Sequence, residues 1–285
     1  MKVITFFKKP ALNHPILIAG FDGWPNAGGI SSDTVNFLKN ELEAKKFAEV
    51  NPDFFHQYTK NRPYAKIEDG ELRYLLFSPY EFFYKKSAGS SDLVLFWGKE
   101  PELRWKQFTR SFLNLANSFQ VKLLITIGGI YDYVTHRQAP RISGIFNNSE
   151  IKTKCSNLGM KLVHYEGTIS IHTLLLREAE KIGIKAISIW GHAPQYLANN
   201  NFLITYQIIS YLKEIIGFEI DLTELKLKAE ELLRQIDQVI KKNPELSQYI
   251  EKIEKGSHLK REFASSCEKV IRIDEFLKKD SNYKE

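Results

Sequence analysis

The stretch ILIAGFDGWPNAGG, residues 16–29, joins a short apolar run to a glycine-rich loop. In the segment that follows, 31–46, Val35, Leu38 and Leu42 recur at the spacing of one helix face. The order is therefore strand, loop, helix. A strand that is apolar at every position is typical of a sheet covered on both faces, so this unit predicts an α/β protein.

The same unit recurs along the chain. Apolar runs at 93–97, 122–127, 161–165 and 186–190 alternate with helical patterns at 101–119, 170–182 and 200–216. Pro101 is placed to be the first residue of its helix. We therefore predict a mainly parallel sheet flanked by helices. Between Phe54 and Phe77, alternating apolar residues around Asp69-Gly70 predict an antiparallel hairpin joined to the same sheet.

Three parts of the chain differ in pattern. Residues 1–220 are expected to form the α/β domain. Residues 221–255 carry apolar side chains at a 3,4 spacing and predict a helical hairpin with Leu225, Leu232 and Ile236 buried. We expect the apolar stripe of this hairpin to pack on the main domain; the alternative is a contact with another subunit or a partner protein. Residues 256–285 are charged and weakly patterned, which predicts a loosely ordered tail. The alternative is a docking segment formed by Val270, Ile271, Ile273 and Phe276.

Composition narrows the class of protein. The chain has 285 residues, 43% of them hydrophobic, and a formal net charge of +6. The basic excess is spread over separated lysine pairs, which disfavours nucleic-acid binding. No apolar run reaches membrane-spanning length and the N-terminus lacks a signal peptide pattern, so we expect a cytoplasmic protein without a membrane partner. Cys155 and Cys267 are expected to be isolated thiols.

Five loops follow the predicted strands, at 20–29, 97–101, 128–140, 165–172 and 190–194. Because the carboxyl ends of parallel strands meet at one edge of a sheet, ligands of open α/β folds bind there. The alternative is that these loops are only tight turns between strands and helices and bind no ligand. The candidate ligand-binding residues at this edge are Asp22, Trp24, Asn26, Gly28, Gly128, Gly129, Asp132, His136, Arg137, Tyr165, Glu166, His172 and His192.

Each kind of candidate has an alternative role. The glycines of the first loop do not match a phosphate-binding spacing, which favours hydrogen bonds of Asp22 and Asn26 within the turn and at the helix start. Contact with a ligand is the alternative for both residues. Asp132 and Arg137 suit either an anion site or an internal ion pair. Glu166 is a candidate base if a histidine lies beside it. No spacing typical of a metal site, a cofactor loop or a serine nucleophile elbow occurs, so we expect no metal and no cofactor.

In this order, the motifs resemble the proteasome assembly chaperone family, in its single-chain bacterial and archaeal form. The residues that carry the resemblance are the Gly-Trp-x-Asn-Ala-Gly segment at 23–28, Gly98 to Pro101, Gly128-Gly129 with Thr135-His136-Arg137, Tyr165 to Gly167, and Asn243 to Leu246. The resemblance implies a fold similar to purine nucleoside phosphorylase and a homo-oligomer, with a trimer among the states it allows.

The resemblance also implies a function. We expect an assembly-chaperone-like protein that binds an unidentified protein partner without catalysis. The alternative is a small-molecule binder or enzyme that takes a nucleoside-like or carboxylate ligand at the strand-end loops. An open pocket at that edge favours the alternative, whereas an edge filled by its own ion pairs favours the chaperone-like protein.

Overall fold

The computed structural model describes residues 2–87, 91–255 and Ile273. The strands are Ile4–Phe6 (β1), Ile16–Asp22 (β2), Lys45–Val50 (β3), Tyr64–Glu68 (β4), Glu71–Leu76 (β5), Tyr80–Lys85 (β6), Leu93–Lys99 (β7), Leu123–Asp132 (β8), Ile142–Phe146 (β9), Lys161–Leu162 (β10) and Lys185–Pro194 (β11). The α-helices are Ile30–Glu41 (α1), Trp105–Ser118 (α2), Ser149–Asn157 (α3), Ile171–Lys181 (α4), Phe202–Ile216 (α5), Thr223–Lys242 (α6) and Pro244–Glu254 (α7).

Nine strands form one mixed sheet in the order β1-β3-β6-β7-β2-β8-β11-β9-β10. The four central strands, β7, β2, β8 and β11, are parallel to one another. Antiparallel pairing extends the sheet on both sides, through β6, β3 and β1 on one side and β9 on the other. The α/β prediction is confirmed, and the parallel pairing predicted for the sheet is concentrated at its centre.

Strand β2 shows why the core has two halves. Leu17 and Phe21 point to one side of the sheet, where they pack among residues of α2 and α4. Ile16 and Ile18 point to the other side, where they pack among residues of α1 and α5. Because alternate side chains of a strand face opposite ways, a strand between two helical layers is apolar at every position. This is the pattern that the ILIAG run displays.

Two helix boundaries differ from the predictions. Helix α2 begins at Trp105 and not at Pro101, because Arg104 takes a left-handed conformation with φ 56° immediately before it. Helix α1 ends at Glu41, and Lys45 already belongs to β3. In both places a residue with positive φ, Arg104 or Glu43, turns the chain. Side-chain spacing does not reveal such a residue.

Two strand predictions were also wrong in part. Strands β4 and β5 form the expected hairpin around Asp69-Gly70, but they pair with each other in a separate two-stranded sheet. The apolar run at 161–165 contributes only the two-residue strand β10. That strand is parallel to β9, which is antiparallel to β11, so β10 runs against the central strands.

The helical hairpin is present as α6 and α7. Leu225 is buried with the residues of α5, and Ile236 is buried in a third apolar cluster around Tyr196 and Ile250. Leu232, predicted to be buried, is only partly buried. Apart from Ile273, the predicted tail at 256–285 lies outside the described residues. The same holds for Cys267, whereas Cys155 is buried as a free thiol.

Candidate functional site

The loops after β2, β7, β8 and β11 meet at one edge of the sheet, because these four strands are parallel. We call this the carboxyl edge. The loop at 165–172 reaches it differently. Since β10 runs against the central strands, residues 163–170 cross from the opposite edge to the start of α4.

In the first loop, Asn26 is fully engaged by its neighbours. Its Nδ2 donates to Oδ1 of Asp22 at 3.0 Å and to Oγ of Ser32 at 3.2 Å, and its Oδ1 accepts from the backbone N–H of Ser32 at 3.1 Å. These bonds tie the end of β2 to the first turn of α1. Trp24, at the tip of the loop, is 62% exposed.

The glycines of this loop and of β8 permit close packing. A Cβ on Gly129 would lie 2.2 Å from the carbonyl oxygen of Ala27, and its N–H donates to the carbonyl of Pro25 at 2.8 Å. Gly28 has φ 65°, and its carbonyl accepts from Nδ2 of Asn201 at 2.7 Å. The first loop is therefore clamped between β8 and the start of α5.

Gly128 makes room for an indole ring. A Cβ there would lie 2.7 Å from the ring of Trp190, which in turn packs on His172 with ring centroids 5.0 Å apart. His172 is fully buried, and burial lowers its pKa to about 3. Its Nδ1 lies 3.3 Å from Oγ of Ser188, and Oγ1 of Thr126 lies 2.8 Å from that same oxygen. His172 is thus a core residue in a short polar chain.

His192 lies at the centre of a second polar chain. Its Nδ1 is 2.9 Å from Oδ2 of Asp132, and its Nε2 is 2.8 Å from Oγ of Ser143 on β9. Asp132 also accepts from the Arg141 guanidinium at 2.7 Å and from the backbone N–H of Tyr133 at 2.8 Å. The hydrogen bond with His192, followed by those from Tyr133 and Arg141, holds the pKa of Asp132 well below its ordinary value against the opposing effect of burial.

His136 and Arg137 both contact the helical hairpin through Asp237 on α6, which lies 3.3 Å from Nε2 of His136. The backbone N–H of His136 donates to the Tyr196 hydroxyl at 2.8 Å, and its Nδ1 lies 2.7 Å from the same oxygen. Nη2 of Arg137 donates to Oδ1 of Asp237 on α6 at 3.0 Å, and Nη1 lies 3.7 Å from Oε2 of Glu254 on α7. Burial lowers the pKa of His136, and Asp237 partly offsets that effect.

Tyr165 and Glu166 stand apart from these groups. Both are exposed in the crossing segment, and the Tyr165 hydroxyl donates to the carbonyl of Thr168 at 2.8 Å. The carboxylate that does reach the start of α4 is Glu100, whose Oε1 accepts from the N–H of Ile171 at 2.8 Å. Burial raises the pKa of Glu100, while that hydrogen bond opposes the rise. A helix N-terminus favours an anion, and here the protein supplies its own.

A narrow cleft lies between the 128–140 loop and the helices α5 and α6. Its polar lining includes Gln138, Arg141, His192 and Asn201, and its volume is about 40 Å³. Since one water needs on the order of 10–15 Å³ by this measure, the cleft has room for only a few water molecules.

Two further observations concern metals and membranes. Among the residues that the structure describes, no three His, Cys, Asp or Glu side chains are grouped so that they could hold a metal ion. Within the described ranges, no helix combines the length and apolar character needed to cross a bilayer.

Sequence reasoning missed several residues of the carboxyl edge, namely Ser32, Ser143, Asn201 and Asp237. Ser143 lies inside an apolar strand and Asn201 lies immediately before α5, and neither belongs to a recognisable motif. Only the fold brings them to the predicted residues. Arg141 directly follows the loop at 128–140, and Glu100 lies within the loop at 97–101. Their positions beside the predicted edge are the signal that could have identified them.

Residues 20–240 match the model of the PAC2 family. A PAC2 family protein from Streptomyces avermitilis has 25% identity, a TM-score of 0.73, and coverage of 83% of this chain and 99% of that chain. A proteasome-assembly chaperone homologue from Mycobacterium tuberculosis has 25% identity, a TM-score of 0.75, and coverage of 82% and 99%.

An archaeal proteasome activator, PbaB of Pyrococcus furiosus, shares the fold. It has 24% identity, a TM-score of 0.65, and coverage of 83% of this chain and 97% of that chain. No curated protein matches the chain by sequence.

Proposed function

Because this chain belongs to the PAC2 family, we propose that it is an assembly-chaperone-like protein that acts by binding other proteins and not by catalysis. The family match confirms the resemblance that the sequence motifs indicated. The proteasome-assembly chaperone homologue from M. tuberculosis, which is covered almost completely by the alignment, supports the assembly role.

The filled carboxyl edge is the observation that carries this proposal. Glu100 occupies the N-terminus of α4, and Asn201 occupies the space above Gly28. The cleft beside His192 holds only about 40 Å³. Sites for small ligands in proteins measure about 300–1,000 Å³. A chain whose ligand edge is closed by its own side chains binds its partners through other surfaces.

The proposal includes a cytoplasmic location, a homo-oligomeric state and no nucleic-acid partner. Lys46, from one of the lysine pairs, supports the last of these points. Nζ of Lys46 lies 2.8 Å from Glu81 and 2.9 Å from Glu49, so this cation is matched by neighbouring carboxylates. A nucleic-acid interface needs unmatched basic groups along one face.

The test is capture of partners by the tagged full-length chain in its source cells, with brief crosslinking and mass spectrometry after pulse labelling. We expect subunits of one multi-subunit complex, enriched in newly made copies over old ones, because an assembly chaperone leaves the finished particle. Equal recovery of old and new copies would identify a stable component instead. Recovery of no protein, together with a metabolite that raises the melting temperature, would refute the proposal.

One arrangement favours an enzyme as a second candidate. Ser143, His192 and Asp132 have the order and spacing of an acyl-transfer triad, with contacts of 2.8 and 2.9 Å. Ser143, however, is only 3% exposed, whereas a nucleophile must reach its substrate. A fluorophosphonate probe decides between the two candidates. Labelling of the native protein that is lost in Ser143→Ala establishes the enzyme, and absence of labelling is the result we expect.

A further inference from the structure

A groove lies on the surface of the molecule between α2 and α4. These two helices pack against each other on one side of the sheet. The groove has a volume of about 340 Å³, compared with about 40 Å³ for the cleft beside His192. Its lining residues belong to the two helices and to Ile182, which directly follows α4. No residue of this lining comes from the loops of the carboxyl edge, so the groove is a separate surface.

Apolar residues form the inner part of the groove and basic residues form its outer part. Leu113 is buried in the core and Leu174 is partly buried against it, whereas Ile182 is 48% exposed. Lys106 and Arg110 are exposed residues of α2. Because they are four positions apart, they lie on the same face of that helix. The groove therefore combines an apolar surface with a basic edge.

The basic residues of the groove outnumber its acidic ones. Among the described residues, its charged lining consists of the cations Lys106, Arg110 and Lys181 and the carboxylate of Glu178. Oε1 of Glu178 lies 2.6 Å from Nζ of Lys181, so these two charges match each other. Within the same part of the chain, neither Lys106 nor Arg110 takes part in an ion pair. Two positive charges beside an apolar surface thus have no partner in the described chain.

We propose that this groove binds an acidic amphipathic helix of a partner protein. The apolar side chains of that helix pack on Leu113, Leu174 and Ile182, and its carboxylates face Lys106 and Arg110. A helix that lies in a groove between two others uses apolar anchors in this way, and the unmatched charges at the edge select the sign of the partner's charge. The proposal rests on the chaperone-like function, because it names the surface and the chemistry by which a partner protein is bound.

The charge of the chain argues against its own segments as the occupant. With a net charge of +6, a second copy approaches with the same sign of charge as the groove. Residues 256–285 contain seven lysine or arginine residues and six aspartate or glutamate residues, so this segment is not acidic either. Two unmatched cations are also far fewer than the roughly 6–10 phosphate contacts of a nucleic-acid-binding protein. A small anion is less suited, because sites for small ligands bury most of the ligand, whereas Lys106 and Arg110 are exposed.

Binding of synthetic peptides to the full-length chain tests the selection by charge. The probe is a fluorescent peptide of about 15 residues, long enough for a helix, with leucines on one face and glutamates on the other. A second peptide has lysine in place of every glutamate. We expect the leucine-glutamate peptide to bind, with an affinity that falls as salt is added, and the leucine-lysine peptide not to bind.

A matched pair of charge reversals locates the binding. Arg110→Glu should weaken binding of the leucine-glutamate peptide by about tenfold or more, because an attraction becomes a repulsion. Arg177→Glu makes the same change in net charge at an exposed position of α4 that does not line the groove, and it should leave the affinity unchanged. Arg110→Lys keeps the charge and should retain binding. All three changes are at exposed positions, so the melting temperature should stay near that of the native protein.

A photo-crosslinking side chain identifies the natural occupant. Benzoylphenylalanine in place of Asn114, which lines the groove, is compared with the same residue in place of Asn40, which is exposed on α1 across the sheet. In the source cells, we expect only the first position to capture a partner segment in which aspartate and glutamate outnumber lysine and arginine. Arg110→Glu should abolish that capture.

Several results would overturn the proposal while the chaperone-like function stands. They are failure of the leucine-glutamate peptide to bind, equal weakening by Arg110→Glu and Arg177→Glu, and capture of a segment without acidic excess, each with newly made subunits still recovered by the tagged chain. A crosslink from position 114 to another copy of the chain would replace the partner with a self-contact. Citrate that stabilises the native chain but not Arg110→Glu, without peptide binding, would make the groove a small-anion site. Recovery of no protein in either capture experiment would refute the chaperone-like function and this proposal together.

Discussion

Oδ2 of Asp132 lies 2.9 Å from Nδ1 of His192, and this contact joins the ends of the neighbouring parallel strands β8 and β11. The hydrogen bond is the largest of the effects that lower the pKa of Asp132. The folded protein therefore holds this carboxyl ionised at pH values where the unfolded chain protonates it. Folding stability depends on pH wherever the two states bind different numbers of protons.

Asp132→Asn should flatten the acid dependence of stability. The ionised carboxylate stabilises the fold above its ordinary pKa of 3.8, and that contribution is lost as pH falls toward the lower folded value. We expect the variant to be less stable by about 1–3 kcal/mol at pH 7, with a smaller deficit at pH 3. Urea unfolding at both pH values measures this, with Asp69→Asn in the exposed turn between β4 and β5 as the control. An equal deficit at both pH values would contradict the prediction.

Gly129→Ala should destabilise the protein through a clash with backbone. The added Cβ would lie 2.2 Å from the carbonyl oxygen of Ala27, which cannot rotate away as a side chain can. We expect a loss of about 1–3 kcal/mol in unfolding free energy. Gly167→Ala is the control, because the atoms nearest to its added Cβ belong to the exposed Tyr165 ring, which can move away. Its unfolding free energy should change by less than about 0.5 kcal/mol. Equal losses of unfolding free energy in the two variants would show that the first loop shifts to accommodate the added Cβ.

His172→Phe should reduce the loss of unfolding free energy that occurs as the pH is lowered from 7 to 4. Burial lowers the pKa of His172 from 6.5 to about 3, so between these values the unfolded chain binds a proton that the folded protein does not. As the pH is lowered through this range, His172 therefore reduces the unfolding free energy by up to about 1.4 kcal/mol for each pH unit. Phenylalanine has no such proton and keeps the ring contacts with Phe21 and Trp190.

The control for that series is His164→Phe, at an exposed position. Chemical unfolding from pH 7 to pH 4 should give a shallower slope for His172→Phe than for the native protein, and an unchanged slope for His164→Phe. Parallel curves for all three proteins would show that His172 becomes protonated in the fold.

The periodicity of apolar residues predicted the strands and helices that form the core. The ILIAG run lies between two helical layers as expected, and the spacing of Leu225 and Ile236 placed both in the core. The predicted residues of the carboxyl edge acquired partners that sequence could not supply. Asp132 and Arg137 suggested one internal ion pair, but Asp132 binds Arg141 and Arg137 binds Asp237.

The reason is the distance along the chain between the partners. Asp237 lies 100 positions after Arg137, and Ser143 lies 49 positions before His192. Such pairs are set by sheet order and by the packing of α6, which neither periodicity nor motif spacing encodes. The direction of β10 is a similar case, because it follows from its pairing with β9.

Arg137→Met tests whether the 128–140 loop is braced or holds a ligand. Because Arg137 joins the loop to Asp237 on α6 and approaches Glu254 on α7, the brace predicts a lower unfolding free energy. Its side chain is 44% exposed, so the loss should not exceed about 1 kcal/mol. A double-mutant cycle with Asp237→Asn should give a coupling of about 0.2–1 kcal/mol. Arg110→Met, at an exposed position on α2, is the control.

The same variant distinguishes the two functions when it is combined with a metabolite thermal-shift screen. If the loop is only braced, partner binding by Arg137→Met should fall in proportion to the folded fraction, and no compound should separate it from the native protein. A ligand site predicts the reverse, since binding residues are not optimised for stability and their removal leaves the melting temperature near that of the native protein or raises it. A phosphate- or carboxylate-bearing compound that stabilises the native chain but not Arg137→Met would therefore establish a small-molecule site. We expect the brace, because both charges that face Arg137 belong to the chain itself.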